Sequence, residues 1–383
     1  MSPMTSKQRL LAAIRFTGPD RVPVSPRMWR YMLRHGGSQK PGAYLQYAAE
    51  FGLDPLIGCN AGPVIFFPRP ESDCSMLAPA IRVEEGVTAD GEGRTIVRTI
   101  HTPSGRLTDR TRIPRPGGQF GIAPNNHIEE YLVKGPDDLP ALRELVKAWT
   151  ATHPGVDIPS IIQEVGDRAL VAANTYSALS HNAGDVYPVD RMMIDCYERR
   201  AFIEELIDVF HQPLLDVTRT ALEQGVEMVY CSTFFESMSA GWSPALYREL
   251  FLPRIRQHVE LAHRCGALYH LYDDGKMAAT LPMWREIGVD LVSTLCPPPS
   301  GDVTLQKARQ IAGGKMCLNG GIDTVNAIWR GTPLSIDSAV AEAIQAAATP
   351  EGGYILGTSD SITEETPPEN FRAFFDAARK HGS

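Results

Sequence analysis

Eight short apolar runs, each ending in polar or glycine-bearing residues, alternate along the 383-residue chain with stretches of helical periodicity. That alternation predicts an α/β fold, a (β/α)8 TIM barrel whose parallel strands present their C-terminal ends at one rim. A second observation agrees: neither GxGxxG nor GxxxxGKS/T occurs, so the phosphate loops usual in a doubly wound open sheet are missing. A third is a set of segments within about 64–128 that alternate apolar with polar residues, which predicts an antiparallel β insertion after the second strand, within a single domain spanning 1–383.

The elements follow in order. Leu10, Leu11 and Ile14 give Ser6–Phe16 a helical stripe, and Gly18-Pro19 turns the chain into the first candidate strand, Val22–Arg27. A helix over Tyr44–Phe51 leads into the second, Asp54–Cys59. Within the insertion, Ile81–Val83, Arg94–Ile100 and Arg106–Ile113 alternate, with Gly-bearing turns between them, and the Gly/Pro-rich Pro114–Pro124 closes it. Pro136–Asp138 starts a helix over Leu139–Trp149. Six further strands are expected at Ala169–Asn174, Met228–Thr233, Ala267–Tyr272, Leu291–Cys296, Lys315–Asn319 and Tyr354–Thr358. Amphipathic helices are expected at Ile203–Gln224, Pro244–Cys265, Met277–Ile287, Leu305–Ala312, Ile336–Ala348 and Pro368–Arg379.

A formal charge of −8 argues against a nucleic-acid surface or an anionic membrane patch, leaving small molecules or proteins as partners. No apolar run of about 18 residues is present, and Met1–Arg15 has no apolar core of a secretory signal, so the chain reads as cytoplasmic. Seven cysteines without a CxxC pair fit reduced thiols.

In a parallel barrel, residues distant in sequence converge at the strand ends. The rim inventory here is Arg27, Arg30, Cys59, Asn60, Asn174, Tyr176, Thr233, Glu236, His270 to Asp274, Cys296, Asn319, Asp323, Ser359 and Asp360. His270 and Tyr272 are two apart and so face the same side of a strand. Either His270 is a satisfied core histidine or, with two carboxylates following, it works in a charged mouth. Arg27 and Arg30 suit a carboxylate or phosphate as planar forks, or they mark a solvated helix start. Glu236, flanked by Phe234 and Phe235, is either a desolvated general acid or a loop carboxylate in water. Asn174, Tyr176, Asp274 and Asn319 are the remaining candidates for substrate contact, and Cys317, inside a strand, reads as core.

Lys7–Ile14, Pro19–Val24, Asn319–Asp323, Gly352–Leu356 and Thr366–Asn370 together resemble the uroporphyrinogen decarboxylase superfamily. The resemblance implies a TIM barrel and one of two chemistries: metal-free decarboxylation, or zinc-dependent methyl transfer between corrinoids and thiols or pterins. His101–Gly105 and Glu130–Asp138 resemble the methyltransferase side. The decarboxylases' arginine-rich run after the first strand is represented by Arg27 and Arg30 alone, and their aspartate after strand two is not evident near Cys59–Ala61. The methyltransferases' His-x-Cys at strand five is here His270-Leu-Tyr272, and Asp360 stands where their second cysteine is expected.

The resemblance therefore implies a methyltransferase-like enzyme moving a one-carbon unit from a small methylated substrate or a methyl-corrinoid. His270, Tyr272, Glu236 and Asp360 would be catalytic, with His270 and Asp360 holding zinc or another divalent metal. The corrinoid would sit on a separate carrier protein, and a homodimer is expected because related barrels pair. The alternatives are a metal-independent lyase, in which Arg27 and Arg30 hold a substrate carboxylate, and a non-catalytic binding barrel.

Overall fold

The computed structural model describes residues 3–35, 41–77, 79–117 and 125–383. The predicted Pro114–Pro124 turn lies mostly outside the described residues. Two compact units are present: Met1–Cys59 with Asp157–Thr175 and Thr218–Ser383, and Asn60–Val156 with Tyr176–Val217.

The strands, in chain order, are β1 (Leu56–Cys59), β2 (Arg82–Asp90), β3 (Gly93–Thr102), β4 (Gly105–Pro114), β5 (His127–Glu130), β6 (Leu170–Tyr176), β7 (Met228–Ser232), β8 (Leu268–Tyr272), β9 (Leu291–Leu295), β10 (Cys317–Ile322) and β11 (Tyr354–Thr358).

The first unit is built on a seven-stranded sheet in the order β1-β6-β7-β8-β9-β10-β11. The registered neighbours β1–β6, β7–β8, β8–β9, β9–β10 and β10–β11 are all parallel. Strands β8, β9 and β11 are buried along their whole length, which explains why they read as unbroken apolar runs. Leu170, Ala172, Met228, Leu268, Leu291, Cys317 and Ile355 pack with Leu10, Ala13 and Ile14 of the helix Ser6–Ile14. This core takes residues near the strands' N-terminal ends and leaves the C-terminal ends for chemistry.

The first predicted strand, Val22–Arg27, contracts to a single bridge between Val24 and Leu356. Pro23 and Pro26 have no N–H to give to a ladder, so pairing stops after one rung. The segment still bonds on both sides: Ser25 N donates to Leu356 O (2.9 Å), Leu356 N to Pro23 O (2.9 Å), and Asp54 N to Val24 O (2.8 Å). The buried Asp54 carboxylate adds Val24 N (3.0 Å), Arg9 Nη1 (2.6 Å) and Arg21 Nη1 (2.9 Å). The predicted helix Pro244–Cys265 is two helices, Pro244–Leu250 and Leu252–Arg264, because Pro253 cannot donate within a continuous helix.

The second unit carries the antiparallel sheet β2-β3-β4-β5 expected of the insertion. Ile96 and Ile100 are buried on one face of β3, and between them Arg98 is paired with Asp109 and donates to Pro68 O (2.7 Å). No described helix is long and apolar enough to cross a membrane.

Candidate active site

Strand β8 delivers the centre of the site. Its residues alternate, so His270 and Tyr272 emerge on one side while Tyr269 and Leu271 pack on the other. His270 is buried, and neither ring nitrogen has a hydrogen-bond partner among the described residues. Burial, reinforced by the Arg27 charge, pushes its pKa down to about 3, so the imidazole is neutral at physiological pH. Tyr230, opposite His270 in the β7–β8 register, meets the imidazole edge to face at 4.9 Å.

Tyr272 donates from Oη to Asp274 Oδ2 at 2.9 Å. Burial and then the neighbouring Asp360 charge raise the Asp274 carboxyl to about 6, within reach of proton exchange near neutrality. Arg27 lies over the Tyr272 ring, 4.1 Å from its centre, with Nη1 3.4 Å from Tyr230 Oη and Nε 3.9 Å from Asp360 Oδ1. Its side chain retains 36% exposure, so an anion can reach the guanidinium.

The predicted residues divide accordingly. Arg27, His270, Tyr272, Asp274 and Asp360 come together. Arg30 lies in the first turn of the short helix Trp29–Arg34, stacks on Trp29 and faces Glu364 at 3.8 Å. Glu236 is buried in the turn Phe234–Glu236, which answers the question of exposure, and its charge acts on Asp273. Asp273 is fully buried, and burial, with the charges of Asp274 and Glu236, holds its carboxyl well above the usual range. Asn319 donates to Ser25 O at 3.1 Å and lies over Gly357, while Asn174 lies over Gly58. Both glycines are required by those amides, since a Cβ at either would collide. Tyr176 falls in the second unit, edge to face with His181 at 4.8 Å. Cys317 is core, as its strand position implies, and burial raises the thiols of both Cys317 and Cys296.

Tyr230 was missed by the rim inventory. Its signal was parity: it alternates with Met228, an inward core residue, and so shares the inner face.

Among the described residues no group of three or more His, Cys, Asp or Glu side chains could hold an ion. His270 has unpartnered nitrogens, but Asp360 sits beside the Arg27 cation and Tyr272 is committed to Asp274. Two donors, one facing a cation, do not fit the three protein ligands that a catalytic zinc takes.

Comparison with known proteins adds the lineage. The uroporphyrinogen decarboxylase of Trichodesmium erythraeum is 29% identical over 168 residues, 43% of this chain and 44% of that protein. The methylated-thiol–coenzyme M methyltransferase of Methanosarcina mazei is 28% identical over 138 residues, 36% of this chain and 34% of that one. The matched stretches thus span less than half the length of either relative. Among solved structures, a methyltransferase from Methanosarcina mazei superposes with a TM-score of 0.58 at 16% identity, over 98% of this chain and 99% of that chain, which shows a shared fold. A family model described as Uroporphyrinogen decarboxylase (URO-D) matches residues 127–381, more than half of the chain, and the chain belongs to that family.

Proposed function

We propose that the chain is an acid–base carbon–carbon lyase that decarboxylates a small carboxylated compound. The observation that carries this reading is the Tyr272 hydroxyl on Asp274, lying under the Arg27 guanidinium. Arg27 takes the substrate carboxylate as a charge-assisted fork. The bond to that carboxylate breaks, carbon dioxide leaves, and the electron pair stays on the substrate carbon, which must neighbour an electron-accepting group. The carbon then takes a proton from Tyr272, the protonated form of Asp274, whose carboxyl is raised to about 6, gives its proton to the phenolate, and solvent reprotonates Asp274. Neutral His270 offers one nitrogen as donor and the other as acceptor to the substrate. The reading includes closure of the seven-stranded sheet into a (β/α)8 barrel through Val22–Ser25, supported by that segment's hydrogen bonds to β11 and to Asp54.

A second reading is favoured by the unpartnered nitrogens of His270. Here the enzyme is methyltransferase-like, and zinc or another divalent ion on His270 and Asp360 would need a further ligand from the substrate or solvent, because the two side chains alone fall short of three. The methyl group arrives on a small substrate or on a corrinoid held by a separate carrier protein. Cytoplasmic location and a homodimer accompany either reading.

Metal content separates the two. The protein is purified without a metal-affinity tag and compared with His270→Ala and Asp360→Ala. A stoichiometric divalent ion, lost in both variants, overturns the lyase reading and supports methyl transfer. A metal-free folded protein that releases labelled carbon dioxide from a panel of carboxylated compounds, and loses this in Asp274→Asn, supports the lyase.

A further inference from the structure

Strand β9 contains one residue more than its partner requires. Leu318 pairs with Val292, but Gly320 pairs with Leu295, so three steps along β9 match two along β10. At this bulge Thr294 adopts a φ of 63°, a left-handed conformation that a β-branched side chain disfavours and glycine would accept freely. The bulge brings the strands so close that a Cβ on Gly320 would stand 2.6 Å from Leu295 N. Bulges of this kind re-aim side chains beside functional sites.

What the threonine supplies is a hydroxyl. Thr294 is buried, and its Oγ1 stands 2.5 Å from both Asp273 O and Ser293 O. From the other flank, the buried Ser237, just after β7, donates from Oγ to Asp274 O at 2.6 Å. Between them, Asp274 N donates to Asp273 Oδ1 at 2.8 Å. Consecutive carbonyls are therefore each met by a hydroxyl from a different neighbouring segment, with Ser239 Oγ a second, longer donor to Asp274 O at 3.3 Å.

We propose that Thr294 and Ser237 are positioning residues, forming a hydroxyl clamp that fixes the Asp273–Asp274 turn so that the Asp274 carboxyl stays on Tyr272. The strained backbone at Thr294 persists because the bulge aims this hydroxyl at the Asp273 carbonyl. The inference rests on Asp274 as the acid of the proposed function, but its test reads the carboxyl and not turnover.

The test is an infrared titration of the full-length protein labelled with carboxyl-13C aspartate, with the Asp274 signal assigned by its loss in Asp274→Asn. Besides Tyr272, the titratable and charged groups facing Asp274 are Asp360, Arg27, the Cys296 thiol and the adjacent Asp273, which Glu236 also faces. Wild type should titrate at about 6. Thr294→Val, Thr294→Gly and Ser237→Ala admit water to the turn, and because burial outweighs the Tyr272 hydrogen bond among the causes acting on Asp274, the midpoint should fall by about one pH unit, a tenfold change in ionisation. Thr294→Ser keeps the hydroxyl and should restore the wild-type midpoint. Thr294→Gly relieves the backbone, so it carries the test if the valine variant does not fold. An unmoved midpoint in folded Thr294→Gly and Ser237→Ala, or the same fall in Thr294→Ser, overturns the clamp. A moved midpoint, with turnover unaffected by Asp274→Asn, upholds the clamp and removes Asp274 from the reaction.

Discussion

The guanidinium carbon of Arg27 stands 4.1 Å from the centre of the Tyr272 ring, while the hydroxyl of that same ring is bonded to Asp274. One tyrosine thus meets a cation with its π face and a carboxyl with its edge. Burial works against the Arg27 charge, but Tyr230, Tyr272, Asp360 and Asp274 around it keep the guanidinium protonated. Under the lyase reading, anion binding and proton supply join at this single side chain.

Tyr272→Phe separates these two roles. The ring remains under Arg27, but Asp274 loses a hydrogen bond that stabilises its ionised form, so its midpoint should rise above about 6. Turnover under the lyase reading should fall by about 10²–10⁴. Carboxyl titration and a pH–rate profile check both effects, and an unchanged midpoint would remove Tyr272 from the proton path.

Stability should depend on pH through two opposed groups. Folding raises Asp274 from 3.8 to about 6, so its stabilising contribution is present below about pH 4 and is lost as pH rises through about 6. Folding lowers His270 from 6.5 to about 3, so its contribution is present above about pH 6.5 and is lost as pH falls toward about 3. Urea unfolding across this window should show Asp274→Asn losing stability on acidification more steeply than wild type. His270→Gln should instead gain stability relative to wild type at the acid end, and no difference there would mean that His270 is not held neutral.

Asp54→Ala should destabilise the protein by about 3–5 kcal/mol. The carboxylate is fully buried against Arg9 and Arg21, and its loss leaves the buried Arg9 guanidinium with less compensation and Val24 N without an acceptor. Denaturant midpoints measure the effect, and a loss below about 1 kcal/mol would show that Asp20 alone satisfies Arg9.

Gly357→Ala should cost about 1–3 kcal/mol. Its Cβ would stand 2.6 Å from Asn319 Oδ1, forcing the amide off the Ser25 carbonyl and loosening the chain that precedes Arg27. Thermal unfolding checks the stability loss, and a neutral substitution would mean that Asn319 rotates away without cost.

Much of the site was legible because strand parity and strand ends are written in local pattern. The two-residue spacing of His270 and Tyr272 placed them on one face, and the apolar run before them placed that face at a strand end. Arg27 and Asp360 were legible as flanks of the first and last strands. Arg27 and Arg30 could not be told apart, because the short helix that carries Arg30 to Glu364 begins only after Met28. The burial of Glu236 was equally hidden, since two aromatic neighbours are compatible with either side of a surface.

By itself, the sequence determined the alternation of strand and helix, the antiparallel insertion, the family and the inward parity of His270 and Tyr272, all consequences of short-range periodicity and composition. Tertiary structure alone decided which hydroxyls hold the Asp273–Asp274 turn, that Tyr230 stands against His270, and that Val22–Arg27 makes one rung in place of a strand. Those outcomes depend on register between strands far apart in the chain, where one bulge residue in β9 or two prolines before Arg27 redirect every contact downstream.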